Sequence, residues 1–331
     1  MNFNIPPQQK NQDGNERSVG FEFEFTGVEI KDAANMISEL YGGKVSQLSG
    51  YEYKVSDTRF GDFSLELDAS LFLNKKYEKA LKSIGINIDK LKNKDKLEDT
   101  LRDMASTVVP FEIITPPIPL PKLLHLNELV DKLREWKAKG TGSSFFYAFG
   151  LHLNPEVPEL TADSILRHLQ AYVMLDGWIR KDAKIDLSRK ITPYINEYEI
   201  DYIRHILQPD YQPDLQTLIV DYFEFKNSRN RPLDLLPVFM FMDEEITSSL
   251  LEEELTSARP TFHYRLPNCN IQDEEWSLAE EWNRWVLVER LAKDRKALNQ
   301  YARAFLNMDE KSVFGIKKKW IKLMDRWVND G

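Results

Sequence analysis

The residues best suited to chemistry in this chain are the carboxylates of one alternating segment, Val19–Val28. Three phenylalanines alternate there with Glu22 and Glu24. A β-strand would therefore place the rings on one face and both carboxylates on the other. Neighbouring carboxylates repel one another unless a cation lies between them, and Mg²⁺ takes oxygen ligands of this kind. The segment predicts either a cation-binding strand or a half-buried strand whose acidic face is solvated.

Later segments repeat this division into an apolar face and a polar face. We predict strands over residues 61–70, 108–114, 144–154 and 261–265. With the first strand, they contribute these polar side chains: Glu22, Glu24, Glu66, Asp68, Glu112, His152, His263 and Arg265. If the strands share one sheet with a concave polar face, its five carboxylates repel strongly without metal. The pattern therefore predicts about two or three Mg²⁺ or Mn²⁺ ions, with phosphate groups as bridging ligands.

Four arginines could hold phosphate or carboxylate oxygens through paired hydrogen bonds. They are Arg59, Arg229, Arg231 and Arg265. Each candidate also has a structural alternative. Arg229 and Arg231 could be solvated or structural, and His152 and His263 could be hydrogen-bonded core histidines rather than ligands. The phosphate loop GxxxxGK[ST], the dinucleotide fingerprint GxGxxG and the GxSxG elbow do not occur in the sequence.

The composition narrows the possible partners and the compartment. A net charge of -9 argues against a general nucleic-acid binder and against an anionic membrane surface as the main partner. The single Cys269 excludes an internal disulfide and fits a reducing compartment. The first 17 residues lack the apolar core of a signal peptide, and no apolar run is long enough to span a membrane. We therefore expect a cytoplasmic protein that binds neither nucleic acid nor membrane.

The order of predicted elements indicates an α+β protein. Residues 1–17 are polar and are predicted to form a disordered arm. Residues 18–331 are predicted to form one catalytic domain. Two charged amphipathic helices at about 74–107 look like an insertion between strands, and the chain ends in a helical part from about residue 273.

At this point the ordered motifs resemble a known family. The segments that carry the resemblance are Gly20-Phe21-Glu22-Phe23-Glu24, Asp68-Ala69-Ser70, Glu112-Ile113-Ile114-Thr115-Pro116-Pro117, Gly150-Leu151-His152-Leu153-Asn154 and Asn230-Arg231-Pro232-Leu233-Asp234-Leu235-Leu236-Pro237. They resemble the putative amidoligase family of the glutamine synthetase-like carboxylate–amine ligase superfamily. Each segment is weak alone, but the ordered set over roughly residues 18–270 is specific.

The resemblance implies a curved antiparallel sheet, covered by helices, whose concave face binds ATP and divalent metal. It implies metal ligation by Glu22, Glu24, Glu112 and His152, with Asp68 nearby. It further implies that Arg229 and Arg231 contact phosphates or an acyl-phosphate. We assign further cofactor contacts to Arg59 and to the motif asparagines Asn154 and Asn230.

The late strand departs from the family pattern. Related ligases carry a Glu-x-Arg pair there, whereas this chain has His263-Tyr264-Arg265. Arg265 keeps the role of the family arginine, and we assign His263 as a metal ligand in place of the carboxylate. The insertion at about 74–107 is a second departure.

The implied activity is ATP-dependent formation of an amide or isopeptide bond through an acyl-phosphate. Its partners would be a carboxylate and an amine, supplied by an amino acid, a peptide or a protein tail, and the enzyme could be a homo-oligomer. Two alternatives remain from the residues. The acidic cluster also suits a metal-dependent phosphodiesterase or nuclease, and the histidine substitution suits a non-catalytic relative that acts as a binding module.

Overall fold

The structure is a computed structural model that describes residues 2–67, 111–141, 150–185, 195–251, 257–308 and 313–330. It combines an antiparallel sheet with helices, which confirms the α+β class. Contacts divide the chain into two units that are interleaved in sequence. The sheet unit comprises Gly20–His152 and Asn268–Trp276, and the helical unit comprises Met1–Val19, Leu153–Pro267 and Ser277–Gly331. Asp68 and the predicted insertion at 74–107 lie outside the described residues.

The sheet unit is built on antiparallel strands. They are β1 (Ser18–Phe25, which enters this unit at Gly20), β2 (Lys44–Ser49), β3 (Glu52–Thr58), β4 (Gly61–Leu67), β5 (Phe111–Ile114) and β6 (Ile118–Pro119). The hydrogen-bonded order is β2-β3-β4-β5-β1, with β6 also paired to β1. Because side chains alternate in a strand, the apolar residues of β1, β4 and β5 all lie on one buried face.

Helices α1 (Ile30–Tyr41) and α2 (Leu126–Glu135) belong to the same unit, and a 3₁₀ helix, Leu120–His125, leads into α2. The apolar positions of α1 recur at helical spacing and are buried, because α1 packs on β3 and β4. The helix ends at Gly42 and Gly43, both with positive φ. A side chain at Gly43 would collide with the backbone oxygen of Ser56, so glycine is needed where the chain turns into β2.

The helical unit contains the remaining described elements. Its helices are α3 (Ala162–Asp182), α4 (Ile200–Ile206), α5 (Leu215–Glu224), α6 (Leu236–Met242), α7 (Glu244–Leu250), α8 (Leu278–Lys293), α9 (Arg295–Leu306) and α10 (Val313–Asp330). Its short strands are β8 (Leu233–Asp234) and β9 (His263–Tyr264), which pair with each other, and β9 also pairs with the end of β7 (Leu151–Pro155).

Helix α3 is the centre of this unit. It begins after Thr161, whose side chain accepts a hydrogen bond from the Ser164 amide. Helices α4, α5, α8, α9 and α10 all pack against it. Contact on several sides explains why α3 carries buried residues around most of its circumference. Among the described helices, none combines the length and the apolar character needed to cross a bilayer.

The N-terminal residues contact helix α8. The polar composition predicts a disordered arm, but the structure records specific bonds instead. Trp282 Nε1 donates to the backbone oxygen of Asn4 at 2.8 Å, and the Asn4 amide donates to Asn283 Oδ1 at 2.7 Å. Composition does not reveal these bonds, because they depend on the shape and acceptors of a distant helix.

A buried ion pair fixes the base of this arm. Arg17 makes two parallel hydrogen bonds to Glu289 of α8, at 2.7 and 2.8 Å, and both side chains are 1% exposed. The guanidinium also donates to the backbone oxygens of Glu156 and Gln8. Trp285 Nε1 donates to the same carboxylate at 2.8 Å. The network therefore satisfies both charges inside the core, which is the condition for tolerating a buried pair.

Replacing Glu289 with alanine should lower the free energy of unfolding by about 3–5 kcal/mol, because it leaves the Arg17 charge buried without its counter-ion. Urea denaturation measures this loss. The double variant Arg17→Met/Glu289→Leu should recover most of it, since it removes both charges. Lys132→Gln is the matched control, since the Lys132–Glu135 pair is exposed, and it should leave the unfolding midpoint unchanged. A Glu289→Ala midpoint equal to that of the control would contradict the account.

Stability should also depend on His168 at acid pH. This α3 side chain is buried, and its Nδ1 donates to the Ser164 backbone oxygen at 2.6 Å. Burial lowers its pKa from the usual value of 6.5 to about 4. Between these two values the unfolded chain takes up a proton that the folded chain excludes. The contribution of neutral His168 to the free energy of unfolding is therefore complete above pH 6.5 and is lost as the pH falls through 4.

We expect a loss of about 3 kcal/mol in unfolding free energy from this group between pH 6.5 and pH 4. In His168→Gln that group no longer titrates, so the pH profile of chemical denaturation should flatten by this amount in the same window. Parallel profiles for the two proteins would show that His168 is not the group responsible.

Candidate metal centre

The polar face of the sheet unit carries one row of glutamates. Glu24 of β1 lies opposite Glu112 of β5, Glu112 lies opposite Glu66 of β4, and Glu66 lies opposite Glu52 of β3. We call these four residues the glutamate row. Directly opposed residues in antiparallel strands have Cβ atoms about 4.5–5.5 Å apart, and like charges at that distance destabilise a sheet. The row therefore places four carboxylates side by side across the sheet, and Glu24 at its β1 end is buried.

His152 of β7 lies at that same end. The Glu24 amide donates to the backbone oxygen of Gly150 at 3.1 Å, and the Gly150 amide donates to Glu24 Oε2 at 2.6 Å. His152 Nδ1 is 2.7 Å from Glu22 Oε2, and its Nε2 is 3.4 Å from Glu24 Oε1. Glu112 Oε1 is 3.9 Å from His152 Nδ1. Three carboxylates thus surround one imidazole.

The bond to Glu22 determines what the imidazole can do. A carboxylate accepts hydrogen bonds, so His152 Nδ1 carries a proton and donates it to Glu22. In the neutral ring, Nε2 is then the nitrogen with a lone pair, and it faces Glu24. This is the arrangement by which an outer carboxylate orients a metal-binding histidine. Glu22 is therefore placed to position His152, and its assignment as a metal ligand stays a prediction.

The charge balance at this cluster favours a cation. Glu22, Glu24 and His152 are each less than 10% exposed. Burying several carboxylate charges close together is costly unless positive charge lies nearby. A divalent ion would supply two such charges.

The donor atoms also suit a metal in their spacing and chemistry. Ligand atoms from Glu24, Glu112 and His152 lie within 4.8 Å of one another. Two donors on opposite sides of one Mg²⁺ or Mn²⁺ ion would be about 4.2 Å apart. Carboxylate oxygens suit both ions, and the imidazole nitrogen favours the transition metal, Mn²⁺. The residues present therefore fit the metal that the sequence predicts.

Three more predicted residues meet in the helical unit. His263 Nδ1 is 2.7 Å from Asn154 Oδ1, and Arg265 NH1 is 3.2 Å from His263 Nε2. An arginine only donates, so Nε2 accepts and Nδ1 carries the proton given to Asn154. His263 is thus held as a neutral ring with both nitrogens engaged, and Nε2 could bind a metal only if Arg265 moved. Its assignment as a metal ligand stays a prediction.

Asp234 is a buried acidic residue that the sequence analysis did not single out. It lies opposite His263 in the β8–β9 pair, is buried, and accepts the Leu236 amide at 2.9 Å. Burial raises its pKa to about 7, against the opposing effect of Arg265. The available signal was its position in the Asn-Arg-x-x-Asp motif, as an ionisable residue between two leucines.

Arg231 has a structural setting. Its guanidinium donates to the backbone oxygens of Asn196, Glu197 and Lys226, and it lies over the Tyr198 ring at 5.3 Å. The side chain is buried. These contacts hold the segment around residues 196–198 against the motif, and the catalytic role of Arg231 stays a prediction.

Arg59 lies on the side of the sheet occupied by α1. Its guanidinium is 5.1 Å from the Tyr41 ring centre and 4.9 Å from that of Phe60, and it pairs with Glu128 at 3.3 Å. The glutamate row faces the opposite side, so the structure does not bring Arg59 to that cluster. Its cofactor contact stays a prediction.

Asn230 and Arg229 directly precede Arg231 in the sequence. The described contacts of Asn230 use its backbone, because its oxygen accepts the Asn196 amide at 2.8 Å and its amide donates to Ser228. The charge of Arg229 opposes the rise that burial causes in the pKa of Asp234. The cofactor and catalytic roles of both residues stay predictions.

Glu24→Gln should weaken Mn²⁺ binding by at least about tenfold, because it removes one charged ligand from the cluster. The glutamine oxygen can still accept the Gly150 amide, so the fold should persist. Electron paramagnetic resonance of free Mn²⁺ gives the dissociation constant. Glu39→Gln, an exposed glutamate on α1, is the control with the same change of charge. Equal affinities for the two variants would argue against a metal at this cluster.

The comparisons with known proteins agree with the motif order. A family model described as "Putative amidoligase enzyme" matches residues 15–287. This match covers most of the chain, and it includes both the glutamate row and His152. Neither a curated protein nor a solved structure matches the chain. The chain therefore belongs to the putative amidoligase enzyme family.

Proposed function

We propose that this protein is an ATP-dependent carboxylate–amine ligase with a glutamine synthetase-like fold. The observation that carries the proposal is the cluster of Glu22, Glu24, Glu112 and His152, buried except for the half-buried Glu112, in a chain of the amidoligase family. A carboxylate–amine ligase that uses ATP must manage the charges of phosphate groups, and a divalent metal held by carboxylates is a common means.

The reaction proceeds through two substitutions. A carboxylate is a poor acyl donor, because its oxygen is a poor leaving group. Attack of a substrate carboxylate oxygen on the γ-phosphorus of ATP breaks the bond to ADP and forms an acyl-phosphate. The substrate amine then attacks the carbonyl carbon, inorganic phosphate leaves, and the amine nitrogen loses a proton. The product is an amide or an isopeptide.

The sheet unit supplies the metal ligands in this proposal. Glu24, Glu112 and His152 would hold Mg²⁺ or Mn²⁺, and Glu22 would orient His152 through its Nδ1 proton. A bound divalent ion supplies neutralisation of phosphate charge. Asp68 is retained as a neighbouring acidic residue, as the resemblance implies.

The helical unit supplies cationic groups. Arg265 and Arg229 are proposed to contact phosphate or carboxylate oxygens. His263 orients Arg265 by accepting its hydrogen bond. Arg231 is proposed to act indirectly, because its guanidinium is committed to three backbone oxygens. The substrates are proposed to be a carboxylate and an amine of an amino acid, a peptide or a protein tail.

A second candidate is a non-catalytic binding module. It is favoured by the replacement of the family carboxylate with His263, whose two nitrogens are engaged by Asn154 and Arg265. Such a protein would bind nucleotide or metal without releasing ADP.

Titration calorimetry with ATP, in the presence and absence of Mg²⁺, tests the proposal on the wild type, on Glu24→Gln and on Glu39→Gln. We expect metal-dependent ATP binding in the wild type and in Glu39→Gln, and at least about tenfold weaker binding in Glu24→Gln. Carboxylate–amine pairs are then screened for release of ADP and phosphate.

Each outcome separates the candidates. Release of ADP that requires both a carboxylate and an amine supports the ligase. ATP binding without release under any pair supports the binding module. A folded wild-type protein that binds no ATP with Mg²⁺ or Mn²⁺ would overturn the ligase proposal.

A further inference from the structure

A groove with a volume of about 410 Å³ lies within the helical unit. Its walls are α3, α9 and the segment 207–213, which joins α4 to α5. The lining positions are 163, 166, 167 and 170 on α3 and 295, 298, 299, 302 and 303 on α9. Each set recurs at a spacing of three or four residues, so one face of each helix borders the groove. The volume is in the usual range for ligand sites, about 300–1,000 Å³.

The floor of the groove is apolar and its rim is polar. Buried floor residues are Leu166, Leu207, Leu298 and Ala302. The side-chain amides at the rim belong to Gln208, Gln212 and Asn299, and to Gln170, whose Nε2 already donates to the backbone oxygen of Ile206 at 2.7 Å. An apolar floor can receive an aliphatic side chain, while amides can pair with the N–H and C=O groups of a peptide backbone.

The charges of the groove are mainly positive, in a chain whose net charge is -9. Three arginines, Arg167, Arg295 and Arg303, line it together with one carboxylate, Asp163. Asp163 Oδ2 accepts from Arg295 at 2.6 Å and from Arg167 at 3.0 Å. Arg167 also pairs with Glu159 at 3.9 Å, so two carboxylates accompany the three arginines. The positive excess favours an anionic ligand.

Arg303 is the arginine most available to such a ligand. In the described residues, no hydrogen bond or ion pair engages its guanidinium. Arg295 and Arg303 are eight residues apart on α9, which corresponds to about 12 Å along the helix axis. The first and fifth residues of an extended peptide are about 13 Å apart, and their side chains lie on the same face as that of the third residue.

We propose that this groove binds a short acidic peptide segment in an extended conformation. Acidic side chains at its first and fifth positions contact Arg295 and Arg303, and an apolar side chain at its third position lies on the leucine floor. The proposal does not depend on ligase activity, because every residue involved belongs to the helical unit and the test measures binding alone.

The probe is the blocked peptide acetyl-Glu-Ser-Leu-Ser-Glu-amide with a fluorescent label, and fluorescence anisotropy on the full chain measures its dissociation constant. The matched neutral probe replaces both Glu with Gln, and inorganic phosphate tests competition by a simple anion. Arg303→Gln is the test variant. Arg326→Gln, an exposed arginine on α10 outside the groove, is the control with the same change of charge.

We expect the acidic probe to bind at least about fivefold more tightly than the neutral probe, with weaker binding at high salt. Arg303→Gln should weaken the acidic probe about fivefold and leave the neutral probe unchanged, whereas Arg326→Gln should change neither. Equal binding of the two probes, equal effects of the two variants, or full displacement of the acidic probe by equimolar phosphate would each overturn the proposal. So would the absence of binding to the folded protein.

Discussion

Repulsion between carboxylates on the polar face of the sheet is the constraint on which the candidate site depends. The register of β1, β4 and β5 places Glu24, Glu112 and Glu66 directly opposite one another. Nothing in strand packing requires this arrangement, and like charges in that position oppose sheet formation. A structure that retains them must offset the charge. His152 lies beside Glu22 and Glu24, and a bound cation is the further counter-charge that we propose.

The rest of the sheet unit makes this arrangement tolerable. The phenylalanines of β1 are buried on the face opposite its glutamates. This burial stabilises the strand independently of its acidic side. Helix α1 covers part of that apolar face. Two hydrogen bonds between Glu24 and Gly150 then hold the acidic face of β1 beside the segment that carries His152. Apolar burial on one side thus stabilises the sheet against charge repulsion on the other.

Much of this could be predicted from the sequence, because period-two alternation assigns each residue to a face without knowledge of its partners. The acidic faces of β1, β4 and β5 and the α+β class follow from that rule. The ordered motifs gave the family. The register between strands could not be predicted, because it depends on pairing between distant segments. The row that joins Glu52 to Glu24 therefore emerged only in three dimensions.

Other features were hidden for a related reason. Arg231 has the residue type of a phosphate ligand, but backbone oxygens of Asn196 and Glu197 engage it, and backbone acceptors leave no trace in a sequence pattern. The Arg17–Glu289 pair joins residues 272 positions apart. The pKa of Asp234 depends on burial, which an isolated motif does not report. Local pattern identifies the candidate residues, whereas nonlocal contacts decide what each of them can do.

The most direct test of the central claim is a crystal structure of the protein grown or soaked with Mn²⁺, with anomalous diffraction data. The account predicts an anomalous peak about 2.0–2.3 Å from carboxylate oxygens of Glu24 and Glu112 and from a ring nitrogen of His152. A well-ordered cluster without an anomalous peak at millimolar Mn²⁺, and with His152 bridging Glu22 and Glu24, would contradict it. That result would mean that groups of the protein itself balance the carboxylates without a metal.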